Sequence, residues 1–162
     1  MSQTLFIEDR GHGFWAFDLV AAVFLKHLID VAAPRASAPD DQWLVKAVAN
    51  WRVNAVISDF GLFLDETWSE EQIKVLIELM GKACRLLEER VGIPAKEIQA
   101  WTILNDLRIY ARGFETVPTG PVVRLGQAII SLLDGSLPMA PASTWWFYGI
   151  EDSPGTVERR QA

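Results

Sequence analysis

The chain has 162 residues and a formal charge of −6, from 15 basic and 21 acidic side chains; half of it is apolar, with seven Trp and one Cys. The acid excess speaks against a nucleic-acid binder, which needs a basic footprint to displace counterions from phosphate. One Cys excludes an intramolecular disulfide and a zinc site of several thiolates, and the apolar share excludes wholesale disorder.

The length fits one domain, expected over residues 1–150, followed by a flexible polar tail over 151–162. Size scaling gives a folded surface of about 8,000 Å², with roughly 69% of the unfolded chain's surface buried. That is enough for a core without metal or disulfide staples. Ala36-Ser37-Ala38 resembles a signal-peptide cleavage site, but Asp18, Lys26, His27 and Asp30 interrupt the apolar stretch before it. Glu8 and Asp9 stand where a leader carries positive charge. No run approaches the roughly 18 apolar residues of a membrane span. The expected compartment is the cytoplasm.

In chain order, Thr4–Glu8 is a short β-like run and Gly11-His12-Gly13 a turn. Phe14, Phe17, Ala21, Phe24, Leu28 and Val31 fall at 3–4 spacing and predict a first helix over 14–31. Pro34–Pro39 reads as a linker, and Asp40 or Asp41 as the cap of a second helix over 42–58. That helix is apolar nearly all round, which predicts a central position. Its thin polar stripe is Lys46, Asn50, Asn54 and Ser58, and it should end near Gly61.

Ser69-Glu70-Glu71-Gln72 is a capping box, and Trp68 with Ile73 a hydrophobic staple. The third helix follows, with Ile73, Ile77, Met80, Cys84, Leu87 and Val91 as its buried seam. Gly92-Ile93-Pro94 should stop it, with Gly in the left-handed position. A short helix is expected over 94–101. Residues 102–112 fit a helix or a strand, and 113–119 a loop. Gly120-Pro121 opens a last helix that ends at Gly135. Thr144–Ile150 is a second β-like run that could pair with Leu5–Ile7. The expected fold is mainly α: a single-domain bundle of about five helices, with room for a two-stranded β ribbon joining the N- and C-terminal segments.

Chemical motifs are thin. Asp59-Phe60-Gly61 spells a kinase tripeptide without the phosphate loop or catalytic segment that would confirm it. Gly120 and Gly126 lack the Lys-Ser/Thr of a phosphate-binding loop. Gly11-His12-Gly13 could place an anion at a helix start, but reads better as a plain turn. His27 and Asp30 share a helical face, yet two imidazoles in the chain are few for a metal site. Cys84 lies in an apolar seam, the setting of an inert thiol. No catalytic residue, metal site or cofactor is expected, and the leaning is towards a non-enzyme.

Two segments stand out. Asp59–Glu71 holds five acids and no base among large apolar residues. Glu70, Lys74, Glu78 and Lys82 form an i,i+4 ladder, whereas Asp59, Asp65, Glu66 and Glu71 lack an obvious local partner. The other segment is Trp145-Trp146-Phe147-Tyr148, where strand alternation turns at least one large ring outwards. Trp43, Trp51, Trp15 and Trp101 fit core positions in helical patterns.

The expected function is a non-catalytic protein-binding module. Asp59, Asp65, Glu66, Trp68, Glu71, Trp145, Trp146 and Tyr148 are its candidate contacts for a basic protein partner. Neither nucleic acid nor membrane is an expected partner. In profile alone (small, acidic, helical, without a catalytic cluster) the chain resembles bacterial toxin-neutralising immunity proteins; no motif carries that resemblance. The alternatives are a small enzyme or ligand binder with a pocket beside Lys46, Asn50, Asn54 and Ser58, and a structural homodimer.

Overall fold

Arg10 and Gly11 both take positive φ, +50° and +83°. That is the pattern of a type I′ hairpin turn, whose twist matches that of the flanking strands. It joins β1 (Thr4–Asp9) to β2 (His12–Phe17) in an antiparallel pair. The computed structural model describes residues 4–57, 61–111 and 113–159. After β2 come α1 (Asp18–Ala36), α2 (Gln42–Val56), α3 (Glu70–Glu88), β3 (Gly92–Pro94) and α4 (Ala95–Ala100). Then follow β4 (Thr116–Pro118), α5 (Thr119–Asp134), β5 (Thr144–Tyr148) and β6 (Gly155–Glu158).

The five helices match the expected number, but the β content does not fit a bundle with a ribbon. A four-stranded mixed sheet runs in the order β1-β2-β5-β6, and β3 and β4 form a second, two-stranded sheet. The fold is therefore α/β in character. Residues 14–17, expected to open the first helix, belong to β2, with Phe14 and Ala16 buried and Trp15 and Phe17 on the other face. The 3–4 spacing that begins at Phe14 is continued by a strand running straight into α1 at Asp18. Leu5–Ile7 pair with β2, not with the C-terminal run. Instead β5 lies parallel to β2 on its other side, with Trp15 opposite Phe147 and Ala16 opposite Tyr148. Gly155–Glu158, within the segment expected to be a tail, forms β6 against β5.

The central helix is α1, not α2. Leu19 to Leu25 are buried without interruption, and α1 packs against α2, α3 and α5. Pro34 lies inside its last turn, so the expected linker shrinks to residues 37–41. Helix α2 buries one face, centred on Leu44, Ala47, Val48 and Trp51, and leaves Val45 exposed.

The capping box at α3 is present in full. Gln72 N–H donates to Ser69 Oγ at 3.1 Å and Ser69 N–H to Gln72 Oε1 at 2.9 Å. The seam of α3 is shifted from the expected one: Leu76 is buried, Ile77 half-buried, and Val91, past the helix end, is 93% exposed. Gly92 is needed for closeness and not for a left-handed stop. It starts β3, and a Cβ there would lie 2.6 Å from Thr116 Cγ2 on β4. Residues 102–111 form neither a helix nor a named strand, only turns and a bridge between Leu104 and Leu107. At the end of α5, Gly135 has the expected left-handed φ of +80°, and Ser136 and Leu137 donate to Ser131 O.

Helices α1, α3 and α5 meet at Gly126. A Cβ there would stand 2.5 Å from the Phe24 ring and 2.7 Å from Cys84 Sγ. Alanine in a helix interior gains about 0.5–1 kcal/mol over glycine. Overpacking a close-packed core costs about 1–3 kcal/mol. Phe24 is fully buried and has nowhere to move. Gly126→Ala should therefore destabilise the fold by a net ~1–2 kcal/mol, read as a lower urea midpoint at unchanged slope.

Candidate functional site

Alternation along the four-stranded sheet divides its residues between two faces. Leu5, Ile7, Phe14, Ala16 and Tyr148 point inwards and are buried. The opposite face carries Phe6, Trp15, Phe17, Trp145 and Phe147, all half-buried. The register explains the clustering: Phe6 stands opposite Trp15, and Trp15 opposite Phe147. Phe6 meets Trp15 at 5.1 Å between centroids and Trp145 edge-on at 4.9 Å. Phe17 meets Phe147 edge-on at 5.0 Å. Gly13 makes room for this face, since a Cβ would fall 2.7 Å from the Phe6 ring. Arg159 lies with its guanidinium carbon 3.6 Å from the centroid of Trp145, a cation–π stack.

Two acids, Glu8 and Glu66, lie on the edge strand and against the hairpin turn, and two more, Asp65 and Glu71, lie on the loop and helix start around Glu66. Glu8 lies on the edge strand β1 beside Phe6 and is exposed. Glu66 accepts the Arg10 N–H at 3.2 Å, which fastens the acidic loop before α3 to the hairpin turn. Asp65 is partly exposed, and its Oδ1 accepts both the N–H and the hydroxyl of Thr67. Those two bonds hold its pKa below the usual carboxylate value. Glu71 is exposed and ion-pairs with Lys74 at 3.5 Å.

The candidate contacts are thus partly gathered and partly dispersed. Trp145 sits on the aromatic face, and Asp65, Glu66 and Glu71 on the acidic loop and helix start that follow it. Trp68 does not reach the surface. It is 6% exposed, wedged edge-on between Trp43 and Phe63. Tyr148 is also buried, its ring against Phe14 on the inner face, and burial pushes its hydroxyl pKa up. Trp146 is half-buried, and its indole N–H donates to Pro138 O at 2.8 Å. Asp59 and Ser58 lie outside the described residues. Trp15, expected in the core, is a centre of the outer face. Residues 14–17 are apolar throughout, so no local pattern tells the outer face from the inner one, and the helical spacing that starts there points to a helix.

The stripe Lys46, Asn50 and Asn54 is occupied with local contacts. Asn54 is buried and its Oδ1 accepts Phe63 N–H at 2.7 Å; Asn50 donates to Lys46 O; Lys46 lies over the Phe63 ring. A cavity of about 450 Å³ opens elsewhere, beside the start of α1, walled by Phe17, Leu19, Val20, Phe114, Pro121 and Ile150. Among the described residues, no three His, Cys, Asp or Glu side chains converge as a metal site. Nor is any helix among them long and apolar enough to cross a membrane. Cys84 is buried and its pKa is pushed up to about 11, so the thiol stays protonated at neutral pH.

His27 is the histidine most coupled to the fold. Its Nδ1 is 2.8 Å from Val23 O, and its ring stands edge-on to Trp101. Burial lowers its pKa below 6.5, opposed by the Val23 bond and assisted by Lys26. The folded state therefore resists the proton that the unfolded chain accepts near pH 6.5. Its contribution to stability is complete above that pH and is lost as pH falls through the folded value. The urea midpoint should decline between about pH 7.5 and pH 5, and His27→Gln should flatten that decline.

Compared with known proteins, the chain matches no family model, no curated protein and no solved structure.

Proposed function

We propose that the protein is a non-catalytic binding module that takes a basic protein segment on the outer face of its four-stranded sheet. The observation that carries this reading is the row of half-buried rings Phe6, Trp15, Phe17, Trp145 and Phe147, on the face opposite the core. Aromatic residues are enriched in interface cores, and outward aromatic patches mark interaction sites.

Charge selects the occupant. The chain carries −6, with Glu8 on the edge strand beside Phe6 and Glu66 bonded to the hairpin turn at Arg10. Arginine suits such a surface best, because its planar cation stacks on rings and forks onto carboxylates. Arg159 over Trp145 is an internal instance of that stack. A basic toxin bound by an immunity-type inhibitor is one partner of this chemistry.

Titration with an octa-arginine peptide tests the reading. Trp15→Ser leaves the charge unchanged and should weaken binding about tenfold, about 1.4 kcal/mol. Glu8→Lys should weaken it by a similar factor, and octa-lysine should bind less tightly than octa-arginine. Equal affinity for Trp15→Ser, with its fold confirmed by circular dichroism, overturns the reading. So does a concentration-dependent homodimer that Trp15→Ser dissolves, because the face would then belong to a second copy.

A further inference from the structure

Strands β2 and β5 run side by side, but the register joins them only through Trp15–Phe147 and Ala16–Tyr148. Before those pairs the strands part. In the gap lies a cleft of about 350 Å³, bordered by the hairpin turn, the chain after α5 and the start of β5. That volume is near the lower end of ligand sites, about 300–1,000 Å³, so its occupant is small.

Three features define what fits. The lining is polar and apolar in nearly equal parts, and Leu132, Leu137, Trp145 and Trp146 form its apolar side. Trp146 spends its indole N–H on Pro138 O and so presents ring alone. The ionisable groups are His12 and Arg159, and no carboxylate of the described residues belongs to the lining. In a chain with six more acids than bases, that local sign is a property of the cleft. The carboxylate nearest in register to His12 is Asp9, which is 4% exposed and lies 3.8 Å from Arg10.

Arg159 is also pre-oriented. Its Nε donates to Thr144 O at 3.0 Å, and its plane is stacked on Trp145. Its two Nη groups make no hydrogen bond among the described residues, so the fork's outer edge is available. A guanidinium held in this way is matched by a carboxylate, which it can grip through two parallel bonds. An inorganic phosphate would leave the apolar side unused and would find few donors.

We infer that the cleft between the parted ends of β2 and β5 binds a small aromatic carboxylate, its ring between Trp146 and the leucines and its anion on Arg159. This site goes beyond the protein-binding reading and stands without it.

The test uses 2-naphthoate, followed through the indole N–H signals of Trp145 and Trp146 in a ¹⁵N-labelled sample. Binding is expected with a dissociation constant below about 1 mM. The neutral isostere 2-naphthamide should bind about tenfold more weakly, and inorganic phosphate should leave the indole signals in place. Arg159→Gln should weaken naphthoate about tenfold while leaving the amide unchanged. Met139, on the cleft's rim and 87% exposed, offers a variant that spares the fold. Met139→Glu places a like charge at the mouth and should weaken naphthoate several-fold. Unmoved indole signals at about 1 mM naphthoate, equal binding of acid and amide, or full affinity in both variants overturns the inference.

Discussion

The pairing of β2 with β5 is the contact on which the rest of the structure depends. It consists of two residue pairs, Trp15–Phe147 and Ala16–Tyr148, between strands that run parallel. Parallel neighbours require a crossover, and here the crossover is residues 18–143, which contain all five helices. Without this seam the chain would have two separate hairpins, β1–β2 and β5–β6, each marginal alone. A backbone ladder so short contributes only about 1 kcal/mol per hydrogen bond. Aromatic pairs on both faces supplement it, Phe14–Tyr148 inside and Phe17–Phe147 outside, at about 0.5–1.5 kcal/mol each. The rings therefore contribute to the seam on the same scale as the backbone. This gives the outer aromatics a structural role as well as a surface.

The seam also sets which faces are available. Strand β2 runs directly into α1, with Phe17 as its N-cap, so the central helix starts where the sheet ends. With α5 against the inner side of β1, β2 and β5, the core fills one face only. Among the described residues the outer rings pack on one another, with Arg159 over Trp145 and Phe17 also reaching the core. Where the seam stops, before Trp15 and Phe147, the strands separate and the small cleft appears. Surface and cleft are thus two results of one short register, and Trp145 takes part in both.

What the sequence disclosed follows from the range of the interactions involved. The capping box at Ser69 and the left-handed Gly135 are local devices, complete within four or five residues, and both were legible. The hairpin at Arg10-Gly11 was not, because one of its two positive-φ residues is an arginine. Phe14 and Phe17 satisfy a helical spacing and also stand on opposite faces of a strand. Only the pairing with β1 decides between them. The parallel partner of β5 lies more than a hundred residues away along the chain, which no local pattern records. The same limit exchanged two tryptophans. Trp68 looked like a surface anchor and is buried between Trp43 and Phe63. Trp15 looked like core and stands on the outer face. The acids of the site were legible because exposure is the ordinary condition of a carboxylate. The rings were not, because burial of an aromatic is set by tertiary packing.

The charge excess and the aromatic face have different physical ranges, and that separates their roles. Ion pairs such as Lys74–Glu71, Lys82–Glu78 and Arg90–Glu97 lie at the exposed surface. Each contributes about 0–1 kcal/mol, too little for the acid excess to be a device of stability. A net negative field instead acts at a distance, raising the encounter rate of a basic partner and fading over about 10 Å at 0.1 M salt. The rings act only on contact, through area and stacking, which salt screens little. Screening should therefore slow arrival at this surface while leaving departure from it nearly unchanged. Replacing a ring should do the reverse. On the proposed reading, the carboxylates would select which molecules approach and the aromatic row would decide how long they stay.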